Sequence, residues 1–302
     1  MSAAPRLQPM LPKPVQISNI LLATDFLPSS DVALQYARTM AQQHGAKLYL
    51  LHILPPTPHI SVPLDRAPEL DGTLAAAEEQ LKRLVQGDSL RQLVREPLVE
   101  RGDIEDVIPA TIKQHDIDLV VLGTHGRRGV RKLLLGSVAE QIFRLAACPV
   151  LTVGPEVMPA RLEYGEFPHI VFATDFSPAS LHALPYALSL AKMTQARLTM
   201  MHAIHEISEG AMEYLDEVTS ACRQRLTELL PPGAGSWCHP EFVVEFGPAS
   251  DMILKVAEEE QADLLILGAK RKSHTPAATH LPWPTAYLVA AQAVCPVLTV
   301  RG

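Results

Sequence analysis

One segment of the chain carries glycines at a spacing that could bind a phosphate group. It reads GTHGRRGVRKLLLGSVAE (123–140) and contains the spacing Gly123-x2-Gly126-x9-Gly136-Ser137. Glycine lets backbone N–H groups approach an anion because no Cβ stands in the way. A helix that begins at Gly136 and Ser137 would add free N–H groups and the positive end of its dipole. The chemistry that this segment could perform is therefore the binding of a phosphate-bearing ligand.

The same loop also fits a purely structural role. The tetrapeptide SVAE (137–140) matches the capping-box pattern of a helix N-terminus, and glycines after a strand are common in turns. Four basic side chains could attract an anion or simply be solvated, namely Arg127, Arg128, Arg131 and Lys132. His125 could donate to a phosphate or be an ordinary polar loop residue. A nucleotide site is favoured because the loop follows a predicted strand.

A second candidate for chemistry follows the first apolar run of the chain. That run, Ile17–Thr24, is followed directly by Asp25. A carboxylate at a strand end could accept hydrogen bonds from ribose hydroxyl groups. The same carboxylate could instead cap the turn formed by Phe26–Ser29. The sequence alone leaves both roles open.

The elements that must position these residues occur twice in the chain. Residues 17–52 align without gaps with residues 167–202 at an offset of 150, and 15 of the 36 positions are identical. The agreement resumes in later segments, and CPVLTV (148–153) returns unchanged at 295–300. A period near 150 residues is the size of a domain and not of a solenoid repeat. The sequence therefore predicts two copies of one domain.

Each copy alternates short apolar runs with helical periodicity. The strands predicted in the first copy are Ile17–Thr24, Lys47–Ile53, Leu93–Glu100, Leu119–Gly123 and Val150–Val153. The helices predicted between them lie near 30–44, 69–86, 104–115 and 137–147, with Ser30 capping the first helix, Gly45 ending it and Pro109 inside the third. Continuous apolar strands indicate a parallel sheet that is covered on both faces. In such a doubly wound α/β sheet, ligands bind at the carboxyl ends of strands where the strand order reverses.

Three of these segments together resemble the universal stress protein family. They are ATDF (23–26) after an apolar strand, the G-2x-G-9x-G-S spacing, and CPVLTV as a last strand. The resemblance covers nearly the whole chain twice and implies a tandem-type member. It implies two Rossmann-like, adenine nucleotide alpha hydrolase-like domains, each with a five-stranded parallel sheet of order 3-2-1-4-5. The domain boundaries expected are an extension 1–16, a first domain 17–154, a linker 155–168 and a second domain 169–302.

The glycine spacing is the one found in ATP-binding members of that family, so the resemblance implies ATP with its Mg²⁺ in the first copy. Asp25 would contact the adenosine end with Ala23 and Thr24 beside it, and Ile53 would line the adenine pocket. The ribose and phosphates would be held by Leu122, Gly123, Gly126, Arg127, Gly136, Ser137 and Val138.

The second copy departs from this pattern. It keeps Asp175 and Gly268, but Arg271 replaces the second glycine, and Trp283 and Pro284 stand where Gly136 and Ser137 would fall. Proline has no N–H to offer a phosphate. The second copy is either a pseudo-copy that completes an intramolecular dimer, or it binds a different anion through Lys270, Arg271 and Lys272.

Composition excludes several other classes of protein. The net charge is −7 and aromatic residues are 5% of the chain, which is unlike a nucleic-acid-binding domain. No apolar run is long enough to span a membrane and the N-terminus lacks a signal-peptide pattern, so a cytoplasmic protein is expected. None of the four cysteines forms a CxxC pair, and no histidine spacing matches a zinc site. His52 and His202 are interpreted as strand-end residues.

The function expected is that of a regulatory, stress-response protein that binds ATP and is not an enzyme. Slow ATP hydrolysis or adenylyl transfer is one alternative, although no transfer motif is present. A nucleotide-free interaction scaffold is the other. The two last strands (148–153 and 295–300) could pair within one chain, and two chains could form a homodimer.

Overall fold

The computed structural model describes residues 15–56, 67–86, 88–124, 135–157, 167–205, 214–270 and 285–302. Its strands are β1 (Asn19–Ala23), β2 (Lys47–Leu54), β3 (Val94–Arg101), β4 (Leu119–Gly123), β5 (Val150–Val153), β6 (His169–Ala173), β7 (Arg197–Ile204), β8 (His239–Phe246), β9 (Leu264–Ala269) and β10 (Val297–Arg301). Its α-helices are α1 (Pro28–His44), α2 (Ala67–Leu84), α3 (Asp88–Arg91), α4 (Ile104–Gln114), α5 (Ser137–Leu145), α6 (Pro178–Leu181), α7 (Leu184–Thr194), α8 (Leu215–Glu228), α9 (Ala249–Glu259) and α10 (Thr285–Gln292). We call the elements from β1 to β5 the first half and those from β6 to β10 the second half.

All ten strands form one sheet of order β3-β2-β1-β4-β5-β10-β9-β6-β7-β8. Every neighbouring pair is parallel except β5 and β10, which are antiparallel. Counted from its own first strand, each half has the order 3-2-1-4-5. The predicted α/β class with a doubly wound, mainly parallel sheet is therefore confirmed.

Helices cover both faces of the sheet, which explains why the strands are continuously apolar. Ile20 and Leu22 of β1 belong to one buried cluster and Leu21 to the other, and all three are fully buried. The first cluster includes residues of α1, α2, α7 and α8. The second includes residues of α4, α5, α9 and α10. Because helices shield both faces of the sheet from water, successive strand residues are mostly apolar instead of alternating with polar ones.

The two halves join where β5 meets β10, which we call the seam. Val297 pairs with Thr152, and the Thr152 hydroxyl donates a hydrogen bond to the Val297 carbonyl (3.2 Å). Helices α5 and α10 meet over the seam, where the Tyr287 hydroxyl donates to Glu140 Oε2 (3.2 Å) and the Tyr287 ring packs edge-on against Phe143. The predicted pairing of the last strand of each copy within one chain is observed.

Three local predictions about helix ends can be compared with the structure. Gly45 ends α1 in the left-handed conformation (φ 62°), as predicted. The prediction that Ser30 caps α1 is wrong: the helix begins at Pro28, and the Ser30 hydroxyl bonds to Asp25 instead. The capping-box prediction for SVAE is also wrong, because α5 begins at Ser137 with Gly136 as its N-cap residue and no side chain caps it. Ser137 lies one position too late to reach back over the first turn.

Candidate functional site

The strands that would surround a ligand in the first half end at one edge of the sheet. Ala23, the last residue of β1, pairs with Leu51 of β2 on one side and with Leu122 of β4 on the other. The chain runs outward from β1 to β2 and β3, and then returns to place β4 on the opposite side of β1. The strand order therefore reverses between β1 and β4, which is where open α/β sheets bind ligands.

The turn after β1 holds the Asp25 side chain in one orientation. Asp25 Oδ1 accepts hydrogen bonds from the Leu27 N–H (3.1 Å) and the Ser30 hydroxyl (2.7 Å). The Asp25 residue is exposed, and its Oδ2 accepts no hydrogen bond from another described residue. The turn-capping role left open by the sequence is thus observed at one oxygen, while the other oxygen faces no protein donor in the described part of the chain.

A histidine supports this turn from the neighbouring strand. His52 Nδ1 lies 2.8 Å from the Thr24 carbonyl oxygen, which makes Nδ1–H the donor. The His52 ring also packs on Phe26, with ring centroids 4.4 Å apart, and Phe26 has a φ of 61°. A positive φ is costly for an aromatic residue, so these contacts hold a backbone conformation that would otherwise be unfavourable.

The second half repeats this arrangement. His202 Nδ1 lies 2.8 Å from the Thr174 carbonyl oxygen, and Phe176 has a φ of 59° with its ring centroid 4.6 Å from that of His202. Sequence analysis treated these histidines only as strand-end residues and missed their support of the turn. The repetition of both the histidine and the ATDF segment at the same offset was the available signal.

Helix α5 begins beside the end of β4. The Thr124 N–H donates to the Val153 carbonyl (3.0 Å), and the Gly136 N–H donates to the Thr124 carbonyl (2.7 Å). The Glu140 N–H bonds to the Gly136 carbonyl (2.8 Å) and is the first N–H of the helix to do so. The N–H groups of residues 137–139 therefore have no intrahelical acceptor, and Ser137 and Val138 in this first turn are exposed.

The first glycine of the predicted motif has a packing role that sequence analysis did not anticipate. A Cβ on Gly123 would lie 2.9 Å from the backbone C and O of Ser29. A Cβ on Gly268, its equivalent, would lie 2.2 Å from the Ala179 backbone oxygen. In both halves this glycine lets the start of the helix that follows the first strand (α1 after β1, α6 after β6) pack against the end of the fourth strand. Gly126 and Arg127 lie outside the described residues, as do Arg271, Trp283 and Pro284 of the second copy.

The second half contains a cleft at the corresponding edge, with a volume of about 180 Å³. Its polar wall includes Thr174, Asp175, Ser177, Ser180, Lys270 and Thr285, and its apolar wall includes Met201, Ala203, Ala249, Ile253 and Leu267. We call this space the second-half cleft. Sequence analysis predicted that this copy had lost its phosphate-binding residues and did not predict a cleft.

Asp175 is ionised in this cleft at neutral pH. Burial raises the pKa of its carboxyl group, but hydrogen bonds from Ser177 and Ser180 and the charge of Lys270 lower the pKa by more. The net effect is a pKa below the ordinary value for aspartate. The cleft therefore offers a carboxylate acceptor with an ammonium group nearby.

No helix among the described residues has the length and apolarity needed to cross a membrane. No group of three or more His, Cys, Asp or Glu side chains in the same residues could hold a metal ion.

Comparison with solved structures shows relatives of the same architecture. A universal stress protein from Archaeoglobus fulgidus superposes with a TM-score of 0.67 and 21% identity, over 95% of this chain and 99% of that one. A putative universal stress protein from Pseudomonas aeruginosa superposes with a TM-score of 0.58 and 20% identity, over 94% of this chain and 93% of that one. At these identities the likeness shows the fold.

Sequence comparison shows the family. A universal stress protein of Methanocaldococcus jannaschii is 30% identical over 140 residues, which are 44% of this chain and 80% of the relative. A putative universal stress protein of Staphylococcus aureus is 30% identical over 154 residues, 49% of this chain and 91% of the relative. The family model described as "Universal stress protein family" matches residues 16–154 and again residues 166–301. The chain therefore belongs to the universal stress protein family and carries two copies of its domain.

Proposed function

We propose that this chain is a regulatory nucleotide-binding protein that holds ATP, with its Mg²⁺, in the first half. The observation that carries the proposal is the start of α5 beside the end of β4, fixed by the hydrogen bond from the Gly136 N–H to the Thr124 carbonyl (2.7 Å). This bond sets three N–H groups that have no intrahelical acceptor at the edge where the strand order reverses. An anion gains both hydrogen bonds and a favourable helix dipole at such a point.

The residues proposed to hold the nucleotide come from three elements. Asp25 would accept ribose hydroxyl groups at Oδ2, because Oδ1 is already occupied within the turn. Ile53 and Leu122 would contact the base and ribose from the ends of β2 and β4. Gly136, Ser137 and Val138 would surround the phosphates. The roles of Gly126 and Arg127 stay predictions from the glycine spacing.

The second half is proposed to have lost the triphosphate site. Its helix α10 is described from Thr285, and the sequence places Trp283 and Pro284 at the positions of Gly136 and Ser137. Proline at the position of Ser137 has no N–H group to offer a phosphate. The antiparallel seam then joins a binding half to a half that is a pseudo-copy for ATP.

Mass spectrometry of small molecules released from freshly purified, denatured protein tests the proposal. We expect ATP from the wild-type protein, and none from Gly136→Trp, which places the natural residue of the second copy at the first. Absence of any adenine nucleotide, together with no heat of binding on titration with Mg²⁺-ATP, would leave only the alternative of a nucleotide-free interaction scaffold.

Phosphate release by the purified protein separates a regulatory binder from a slow ATPase. We expect none above the rate of ATP alone in buffer. Steady release that Gly136→Trp abolishes would establish hydrolysis instead. The cytoplasm, where ATP is available, is the proposed location, and association of two chains is tested by the mass of the particle in solution.

A further inference from the structure

Helix α5, whose start forms the proposed phosphate site, is held at both ends by side chains of the second half. At its start, the Tyr287 hydroxyl on α10 donates a hydrogen bond to Glu140 Oε2 (3.2 Å). At its end, Arg301 of β10 donates to the Arg144 carbonyl, and its guanidinium carbon lies 5.7 Å from the centroid of the Phe143 ring. A cation also suits the negative end of a helix dipole. The second half therefore restrains the helix that the first half would use to bind a ligand.

The Tyr287 hydroxyl is bonded to the first turn of α5 at two points. That turn closes where the Glu140 N–H bonds to the Gly136 carbonyl (2.8 Å), and Leu135 directly precedes Gly136. Burial and the Glu140 charge raise the pKa of Tyr287, whereas a hydrogen bond with the Leu135 backbone lowers it. A donor lowers the pKa of a phenol, so the Leu135 N–H is the donor. One hydroxyl thus bonds to the residue before the turn and to the residue that completes it.

The Glu140 carboxylate is held at the seam by both of its oxygens. Arg144 Nη2 lies 2.7 Å from Oε1, and the Tyr287 hydroxyl bonds to Oε2. Helical side chains lean towards the N-terminus, where the positive end of the dipole attracts a carboxylate as it attracts a phosphate. An unrestrained Glu140 would therefore compete with an anion for the N–H groups of residues 137–139. The two bonds hold this charge towards α10 instead.

The sequence repeat shows that the two copies differ at this contact. CPVLTV begins at residue 148 and again at residue 295, and at the same offset Tyr287 is the equivalent of Glu140. Leu151 pairs with its own equivalent, Leu298, so the seam has pseudo-twofold symmetry. Two first copies joined in this way would set Glu140 against Glu140, and like charges repel one another. The tyrosine of the second copy replaces that repulsion by a hydrogen bond.

We propose that Tyr287 is a positioning residue for the nucleotide site of the first half, because its hydroxyl fixes the first turn of α5 and holds the Glu140 charge at the seam. This inference rests on the proposed function, since it concerns the same N–H groups at the start of α5. The second half is then a pseudo-copy for ATP that sets the affinity of the other half.

Titration calorimetry with Mg²⁺-ATP on the full chain compares the wild type with Tyr287→Phe. This substitution keeps the ring that packs edge-on against Phe143 and removes only the hydroxyl. We expect the dissociation constant to rise about fivefold, because a released carboxylate competes with the phosphates at the helix N-terminus. The rise should shrink at high ionic strength, because salt screens the interaction of exposed charges.

Three further variants separate this role from a merely structural one. Combining Tyr287→Phe with Glu140→Gln should return the ATP affinity to within about twofold of the wild type, while the melting temperature stays below that of the wild type. A purely structural role of Tyr287 would not give recovery of affinity without recovery of stability. Arg301→Gln, which weakens the seam at the far end of α5, and Tyr214→Phe, at an exposed position, should both leave the affinity unchanged.

The outcomes separate this inference from the proposed function. A wild-type chain that binds no ATP would overturn both. Wild-type affinity in Tyr287→Phe would overturn the inference alone, as would a double variant that binds as weakly as Tyr287→Phe, because Glu140 would then not be the competing group. An equal loss in Arg301→Gln would also overturn it, since any loosening of the seam would then be sufficient. Circular dichroism confirms that each variant is folded.

Discussion

The two halves of the molecule share a framework but differ at the point where the last helix begins. Both have the strand order 3-2-1-4-5, the histidine that supports the first turn, and the glycine that packs against the helix after the first strand. They differ at residues 136–137 and 283–284. They differ also beside the second-half cleft, where Ala203 and Ala249 stand at the positions of Ile53 and Ile104 in the first half. Residues that maintain the fold are thus retained in both copies, as is the aspartate after the first strand, whereas the residues proposed to surround the phosphates are not. The comparison separates packing from binding within one chain.

The largest effect on ligand binding is expected from Gly136→Trp, which makes the first half resemble the second. The indole would stand over the N–H groups at the start of α5, so ATP affinity should fall by more than about 100-fold, equivalent to about 2.7 kcal/mol. Titration calorimetry measures the loss, and circular dichroism checks that the fold is unchanged. ATP binding of undiminished affinity would show that the difference between residues 136 and 283 does not matter.

Replacing Gly268 or Gly123 by alanine should lower the stability of the protein by different amounts. Gly268→Ala would place a Cβ 2.2 Å from the Ala179 oxygen and should lower the free energy of unfolding by about 3 kcal/mol. Gly123→Ala meets the Ser29 backbone at 2.9 Å and should cost about 1–2 kcal/mol. Urea unfolding of the two variants measures both values. Equal costs, or a larger cost at Gly123, would contradict this reading of the close approach.

Asp25→Asn tests whether the first turn contributes to ATP binding. Loss of the charged acceptor should weaken ATP binding about tenfold, because hydrogen bonds to charged groups are worth about 1.5–3 kcal/mol. Asp175→Asn makes the same change in the second half and should leave ATP affinity as it is. If both variants weaken ATP binding equally, the two halves do not differ as proposed.

These expectations show how far the sequence alone reaches. The continuous apolar runs and the repeat at an offset of 150 predict the strands and the burial of both faces of the sheet. Helix ends were less predictable. The Ser30 hydroxyl could have capped α1 or donated a hydrogen bond to Asp25, and in the structure it donates to Asp25. The second-half cleft was missed because Ala203 and Ala249 are ordinary apolar residues until the fold brings them together.

Tyr287→Phe tests the seam, where the two halves are not equivalent. Tyr287 donates to Glu140, and burial together with the Glu140 charge raises the pKa of Tyr287 to about 12. Loss of this hydroxyl should lower the free energy of unfolding by about 0.5–1.5 kcal/mol. Tyr214→Phe, at an exposed position, is the control and should have no effect. An equal effect of both changes in chemical denaturation would argue against a role for the seam bond.

The smallest effect is expected from His169→Asn, which installs the residue that the first half has at Asn19. Burial lowers the pKa of His169, and Arg197 at 2.8 Å from its Nδ1 lowers it further, although the Glu260 carbonyl and nearby carboxylates oppose this. The unfolded chain therefore takes up the proton first, so stability falls as pH drops below about 6.5 and stops falling below the folded-state pKa.

The variant should accordingly lose less stability than the wild type between pH 7 and pH 5. His44, whose pKa is also lowered by burial, keeps some of the pH dependence. Melting temperatures across this range measure the difference. A slope that the substitution leaves unchanged would mean that His169 is not the group that titrates.

Native mass spectrometry of the wild-type chain with Mg²⁺-ATP tests the central difference between the halves most directly. The account predicts a single ATP per chain at saturation, and no bound ATP for Gly136→Trp under the same conditions. Two ATP molecules per chain would show that the second half also holds the triphosphate, and one ATP that remains bound to Gly136→Trp would show that Gly136 is not needed for binding. Either result would contradict the account.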